Sequence, residues 1–495
     1  MNIPLTRYRR PSYSSMFKSA LILLWIVLFG MLLQRDFFVR TIDPREAVAL
    51  ERAARTEFQS IYFNDEKIGY VENQFLPEPD DTLRIRQNAV MQLNISGQLH
   101  PVNLELDGLL GAQNNLLSFD FSFSSPFYQM NATGSVDGSV VSFTLDTGNN
   151  TIRDSITLEG PPMLATSRRG YLLNQTLQEG EKVKIPWFDP LSLTGKESVI
   201  EYRGKEKILI NDRVYNLHHF TELFAGARVN SWLDEDGNVV KEESPAGFVF
   251  IREPEFRAKN LDSAESTSDL LASVSIKVTG EMFDLANRTE ARYRLTLPEE
   301  PMFELNSGRQ HFADNILSLT KEDIGRIAAA NPQACGDARE ELLATTYIQS
   351  AAPEIVARSM SIVEGGKDDL DKVRLLADWV YQNLEKRPVI GIPDALTTLQ
   401  SGIGDCNEHA SLFAALARAA GIPTKIAVGV VYHKEAFYYH AWNEVCLGDT
   451  WVSLDTTTNQ LPADLSHLKF IEGELQEQIK IGALLNTLEI EPLHD

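Results

Sequence analysis

From about Phe58 to Pro254, apolar and polar positions alternate with a period of two. Leu117, Phe119, Phe121 and Phe123 are interleaved with Ser118, Asp120, Ser122 and Ser124; Val141, Phe143 and Leu145 are interleaved with Ser142, Thr144 and Asp146. A strand points successive side chains to opposite faces, so this spacing predicts strands with one face buried and the other wet. Asp107-Gly108, Asp137-Gly138 and Asp236-Gly237 fall among these runs, where hairpins need residues that tolerate positive φ. The expectation is an antiparallel, all-β domain over 58–255, built as one large curved sheet or a sandwich. A β-rich linker region over 256–335 adds two more strands, Ser273–Gly280 and Glu290–Pro298.

The period then becomes helical, over Asp337–Gln349 and more clearly over Lys367–Lys386. In the second segment Leu370, Val373, Ala377, Val380 and Leu384 fall on one face, as core packing requires. Near the start, Ser19–Leu33 is an apolar run preceded by Arg7, Arg9, Arg10 and Lys18. Basic residues before such a run predict a cytoplasmic N-terminus over 1–16 and a transmembrane signal anchor over 17–35. A cleaved signal peptide competes with the anchor, but no small-residue cleavage site follows. A helical spacer fills 36–57. The expected location is single-pass in the inner membrane, with the body on the extracytoplasmic, periplasmic side.

Charge and cysteine content narrow the partners. The 495 residues carry a formal net charge of -23, although the first 40 hold six Lys/Arg and one Asp. So acidic a body argues against nucleic acid or anionic lipid as its main partner. Three cysteines, Cys335, Cys406 and Cys446, are too few for a disulfide framework; one pair would leave one free thiol.

The free-thiol candidate lies in "GDCNEHASLFAALARAAGIP", residues 404–423. Asp405 and Glu408 make a D-x-x-E capping pair, so Asp405 is the N-cap and Cys406 the first helical residue. Leu412, Phe413, Leu416 and Ala420 give the buried stripe, and Gly421 and Pro423 supply the stop. At a helix N-terminus, backbone N–H groups and the dipole favour thiolate, with Asp405 working against them. Downstream, Tyr438–Thr457 reads as a hairpin turning at Gly448-Asp449. That register sets Trp442 opposite Asp455 and His440 opposite Thr457, so His440 and Asp455 share a face as diagonal neighbours roughly 7–8 Å apart. A nucleophile, a base and an orienter are then all present. Other readings of these residues are an inert buried thiol, or a zinc site from Cys406, His409, His433 and His440, whose spacing matches no zinc pattern. His409 is expected to be structural. His218 and His219, adjacent on a strand, face opposite ways and are expected to be structural too.

The blocks "GDCNEHA", "ARAAGIPTKIAVGVVY", "YHAWNEV" and "WVSLDTT", within about Leu396–Phe470, closely resemble the transglutaminase-like core, a branch of the papain-like cysteine enzymes. The resemblance implies an α+β fold, with a cysteine-bearing helix packed on an antiparallel sheet, in a catalytic domain over 336–472 followed by a tail over 473–495. It implies Cys406 as nucleophile, His440 as general base and acid, and Asp455 as orienting carboxylate. Gln400, six residues before the cysteine, is the candidate oxyanion donor. The chemistry implied is acyl transfer from a protein or peptide amide through a thioester, with no cofactor and no metal. Thr456 stands where the family usually has Pro. The alternative function is a non-catalytic peptide-binding or scaffolding module at the membrane, using the same fold.

Overall fold

A computed structural model describes residues 40–41 and 54–494 apart from 149–150, 167–171, 174–176, 225–226, 262–267, 286–287, 300–301, 329–334 and 336–337. The chain enters a fifteen-stranded sheet at Arg55–Phe63 and meanders outward, strand by strand, to an edge at Thr151–Thr157. It resumes with Lys182–Asp189 and meanders back until Phe248–Arg252 pairs antiparallel with the first strand. A two-residue bridge, Arg40–Thr41, runs parallel to Lys182–Asp189. Hairpin chemistry explains the path. Asn64-Asp65, Asp80-Asp81, Ser96-Gly97 and Asn211-Asp212 all take positive φ at both turn residues, the twist that keeps flanking strands in register.

Curvature brings distant strands face to face. Phe119 and Phe188 pack ring on ring at 5.1 Å, from opposite branches of the meander. Met163 bridges to Trp187, and the Leu116 N–H bonds the Pro162 carbonyl at 2.8 Å, tying the two branches into a near-barrel. Phe121, Met130, Ala132, Val141 and Leu145 fill its interior. On the second branch, His218 bonds the Tyr202 hydroxyl and His219 stacks on Trp232, each within the sheet.

Four helices frame the C-terminal sheet: α1 (Pro353–Val363), α2 (Asp369–Asn383), α3 (Ala395–Ser401) and α4 (Cys406–Ala419). Four strands follow: β1 (Thr424–His433), β2 (Ala436–Leu447), β3 (Thr450–Leu454) and β4 (Leu468–Glu472). In the sheet, β1 lies between β2 and β4, and β3 pairs with the last half of β2. Helix α4 is buried from Glu408 to Ala417, as a helix apolar on nearly all sides must be. Its alanines let α1, α2 and α3 approach on one side while Leu412, Phe413 and Leu416 fill the core, each contributing about 1.5–3 kcal/mol by burial. A separate sheet joins Glu290–Thr296 and Ile316–Thr320 to Glu489–Pro492.

The near-barrel meets this part at the loop before α3. The Tyr128 ring rests on Gly391, the Ser125 hydroxyl donates to the Ile390 carbonyl at 2.8 Å, and Ile392 joins the barrel's apolar core. Thr147 contacts Asp394, whose carboxylate caps α3.

Three sequence expectations are corrected. The described residues are mostly β, so the α+β class does not stand. Strand pairing continues through 290–320 and 424–472, and helices dominate only from 353 to 419. The anchor expected at 17–35 and spacer residues 36–39 and 42–53 lie outside the described residues, while Arg55–Phe58 opens a strand. Among the described residues no helix is long and apolar enough to cross a membrane, so the transmembrane helix and single-pass inner-membrane location are withdrawn. Over 338–349 the only helical turn is Glu340–Leu342. There the Thr345 hydroxyl accepts the Ile348 N–H, offering the backbone a turn in place of a helix.

Candidate active site

Cys406 opens α4 as the sequence anticipates. The Asp405 side chain accepts from the Asn407 N–H at 3.0 Å, and Glu408 returns a bond to the Asp405 N–H at 3.0 Å, completing a capping box. Gly421, at φ 82°, follows the end of the helix. Cys335 and Cys446 form a disulfide, leaving Cys406 as the free thiol.

Half-buried Cys406 does not have the lowered pKa that its helix position suggests. Burial pushes the thiol well up and the Asp405 carboxylate adds to this, while the Ala441 N–H on β2 opposes both. Desolvation of a charge outweighs the helix terminus here. Because the thiolate is the form that attacks, alkylation of Cys406 by iodoacetamide is expected to keep accelerating above the free-thiol value of about 8.5. A pH profile of labelling checks this; a plateau below pH 8 would contradict it.

The hairpin takes the expected register. Asn443 pairs with Leu454 and Cys446 with Trp451, which sets Asp455 immediately beyond the ladder. His440 Nε2 lies 3.0 Å from Asp455 Oδ2. This leaves the His440 Nδ1 nitrogen available on a residue whose neighbour, Ala441, touches the thiol. Asn443 ties the halves of the site together, its amide donating to the Ala410 carbonyl of α4 at 3.0 Å.

Asp455 is buried and fully engaged. Its Oδ1 accepts the Thr457 N–H at 2.7 Å, and its Oδ2 accepts the Thr458 hydroxyl at 2.6 Å. Its backbone exchanges two 2.9 Å bonds with Gln460, which closes the turn that contains Thr456. Burial alone would raise this carboxyl, but the charge and hydrogen bond of His440, with His467, hold it well below the ordinary range.

His467 is the residue that sequence reasoning missed. Its Nε2 lies 3.2 Å from Asp455 Oδ2 and its Nδ1 3.0 Å from Asp464 Oδ1. The Trp442 ring packs edge-on against it at 5.2 Å. The one available signal was weak: a histidine in a "DLSH" turn, 12 residues past the aspartate. The donor atoms of His440, Asp455 and His467 all lie within 4.8 Å of one another, close enough to surround a metal ion. Each histidine is already hydrogen-bonded to Asp455, and none of the three has an unpartnered buried polar atom, so the cluster is a satisfied hydrogen-bond network. Gln400 is exposed on the last turn of α3. His409 is fully buried, its Nδ1 on the Asp405 carbonyl at 2.6 Å, and His433 lies exposed at the end of β1.

Residues 356–456 match the Transglutaminase-like superfamily. The segment is similar to a transglutaminase-like domain. It begins within α1 and ends just past Asp455, so it takes in Cys406, His440 and Asp455 and stops short of His467. No curated protein matches the chain. Among solved structures, a cysteine-protease candidate from Cytophaga hutchinsonii is 17% identical, covering 44% of this chain and 82% of its own at a TM-score of 0.28. A beta-barrel-like protein of unknown function from Brucella abortus is 10% identical, covering 41% of this chain and 97% of its own at 0.33. A protease candidate from Parabacteroides distasonis is 11% identical, covering 71% and 68% at 0.20. Likenesses at these scores carry no argument about function.

Proposed function

We propose that the transglutaminase-like domain is a cysteine acyl-transfer enzyme acting on amide bonds of proteins or peptides. The observation that carries this reading is the 3.0 Å contact between His440 Nε2 and a buried, ionised Asp455, beside the free thiol of Cys406. With Nε2–H committed to Asp455, His440 presents Nδ1 as a base. The raised thiol gives up its proton to His440 as sulfur attacks the carbonyl carbon, rather than resting as a thiolate. His440 then returns that proton to the leaving amine, and a thioester remains on Cys406. Water resolves the thioester in hydrolysis; an amine resolves it in transamidation. Hydrolysis is favoured, since water is abundant and no feature of the chain selects an amine. The Cys406 N–H at the helix start is one donor for the oxyanion, and Gln400 is a candidate for the other.

A peptidyl acyloxymethyl ketone, which reacts with a thiol in an intact catalytic site, tests the reading. Folded protein is expected to be labelled at Cys406, while Cys406→Ala, His440→Ala and urea-denatured protein are not. Labelling of the folded protein no greater than that of the denatured control would overturn the proposal.

A further inference from the structure

We infer that His467 is a positioning residue of this site, an imidazolium clamped between Asp455 and Asp464 that fixes the carboxylate serving His440. Its functional half rests on the catalytic reading above; its structural half does not.

His467 places Nε2 3.2 Å from Asp455 Oδ2 and Nδ1 3.0 Å from Asp464 Oδ1, with its side chain 1% exposed. Ionised carboxylates only accept, and a neutral imidazole has one N–H. A neutral His467 would therefore set one lone pair against another at a ring that is itself buried. Only the doubly protonated ring satisfies both contacts. Burial would lower the pKa of His467, but its bonds to Asp455 and Asp464 raise it instead.

The surroundings agree from every side. The turn after β3 brings Asp455, and the following loop brings Asp464, whose Oδ1 also accepts the Ser466 hydroxyl. Strand β2 brings the His440 ring at 5.8 Å and the Trp442 ring. Arg309, paired with Glu322, spends its guanidinium on the carbonyls of Ala463, Asp464 and His467, so its donors hold backbone. The Tyr293 hydroxyl does the same at Leu465. Lys469, two residues on, is bound to Glu444 and Glu472. His467 is thus the cation hydrogen-bonded to both carboxylates.

The consequence for catalysis lies in Asp455. Its Oδ2 receives both imidazoles, so the carboxylate cannot rotate away from His440 without breaking the second bond. Removing the cation leaves the buried Asp455 carboxylate without one of its two imidazole partners while part-exposed Asp464 remains nearby, so Asp455 takes up a proton at higher pH. Protonated Asp455 is neutral and holds the His440 N–H less strongly, so the acid limb of activity moves to higher pH.

Two measurements test the clamp. In protein labelled with ¹⁵N-histidine, the His467 resonances, assigned with His467→Gln, are expected to show both ring nitrogens protonated at pH 7, where an ordinary histidine, titrating at about 6.5, is mostly neutral. A singly protonated ring at pH 7 overturns the clamp whether or not the protein is an enzyme. In the second, acyloxymethyl ketone labelling of Cys406 is followed against pH. His467→Leu is expected to slow it about 10²-fold and shift its acid limb upward, with His467→Gln, which keeps a donor toward Asp455, recovering part of the rate. An unchanged pH profile in a folded His467→Leu variant overturns the positioning role. Wild-type protein that is not labelled at all fails the catalytic reading instead, and the ring measurement still decides the clamp.

Discussion

Asp455→Asn is expected to reduce amide turnover about 10³–10⁴-fold, with the protein still folded. The substitution keeps shape and removes charge, and no orientation of the new amide restores the bonding. If its oxygen occupies the Oδ2 position, its NH₂ faces the Thr457 N–H, donor against donor. If its NH₂ occupies that position, it faces the two imidazole N–H groups and the Thr458 hydroxyl. His440 would then have to move its proton to Nδ1, the nitrogen needed to take the thiol proton. His467 meanwhile loses one of its two anions, at a stability cost of about 1–3 kcal/mol. Turnover and thermal unfolding of the same variant separate the two effects. Turnover within tenfold of wild type would show that Asp455 does not orient the base.

Gly429→Ala is expected to cost at least about 3 kcal/mol, one of the larger effects a single methyl can have here. Gly429 lies on β1 between His440 on one side and Lys469 on the other, beside a register slip. A Cβ there would sit 1.9 Å from the Leu468 carbonyl oxygen and 2.9 Å from its carbon. Both are backbone atoms, so no rotamer relieves the clash; β4 must leave β1. That strand buries Leu468, Phe470 and Ile471 and begins at the residue after His467. Gly421→Ala is the control: its φ of 82° is strained, but nothing lies within 4 Å of the new methyl. It should cost only about 1–2 kcal/mol. Urea unfolding of both variants makes the comparison, and equal losses would mean that the close approach at Gly429 is tolerated.

How legible each part was depends on how local its cause is. Phe119, Phe121 and Phe123 announce the strand Leu116–Ser125, because burial on one face writes itself into every second residue. The α4 cap and the β2–β3 register were readable for the same reason: two or three neighbouring residues decide them. What was not legible depends on distant segments. The return of Lys182–Asp189 to the far edge, and the pairing of Glu489–Pro492 with Glu290–Thr296, leave no local trace. The Cys406 thiol misled through the same gap. Its helix position argues for thiolate, and only the packing around it shows that burial wins. His467 stayed hidden because its two carboxylate partners become meaningful only once the loop after β3 folds back on the sheet.

The disulfide and the free thiol together pose a problem of choice. Three cysteines allow three pairings, and only Cys335–Cys446 leaves Cys406 available. Cys446 lies on the same strand as His440, so a wrong pairing would block the thiol or strip that strand of its tie. Disulfide exchange proceeds through thiolate, and the folded site keeps Cys406 protonated. The burial that denies this residue a resting negative charge therefore also guards the fidelity of the chain's one cross-link.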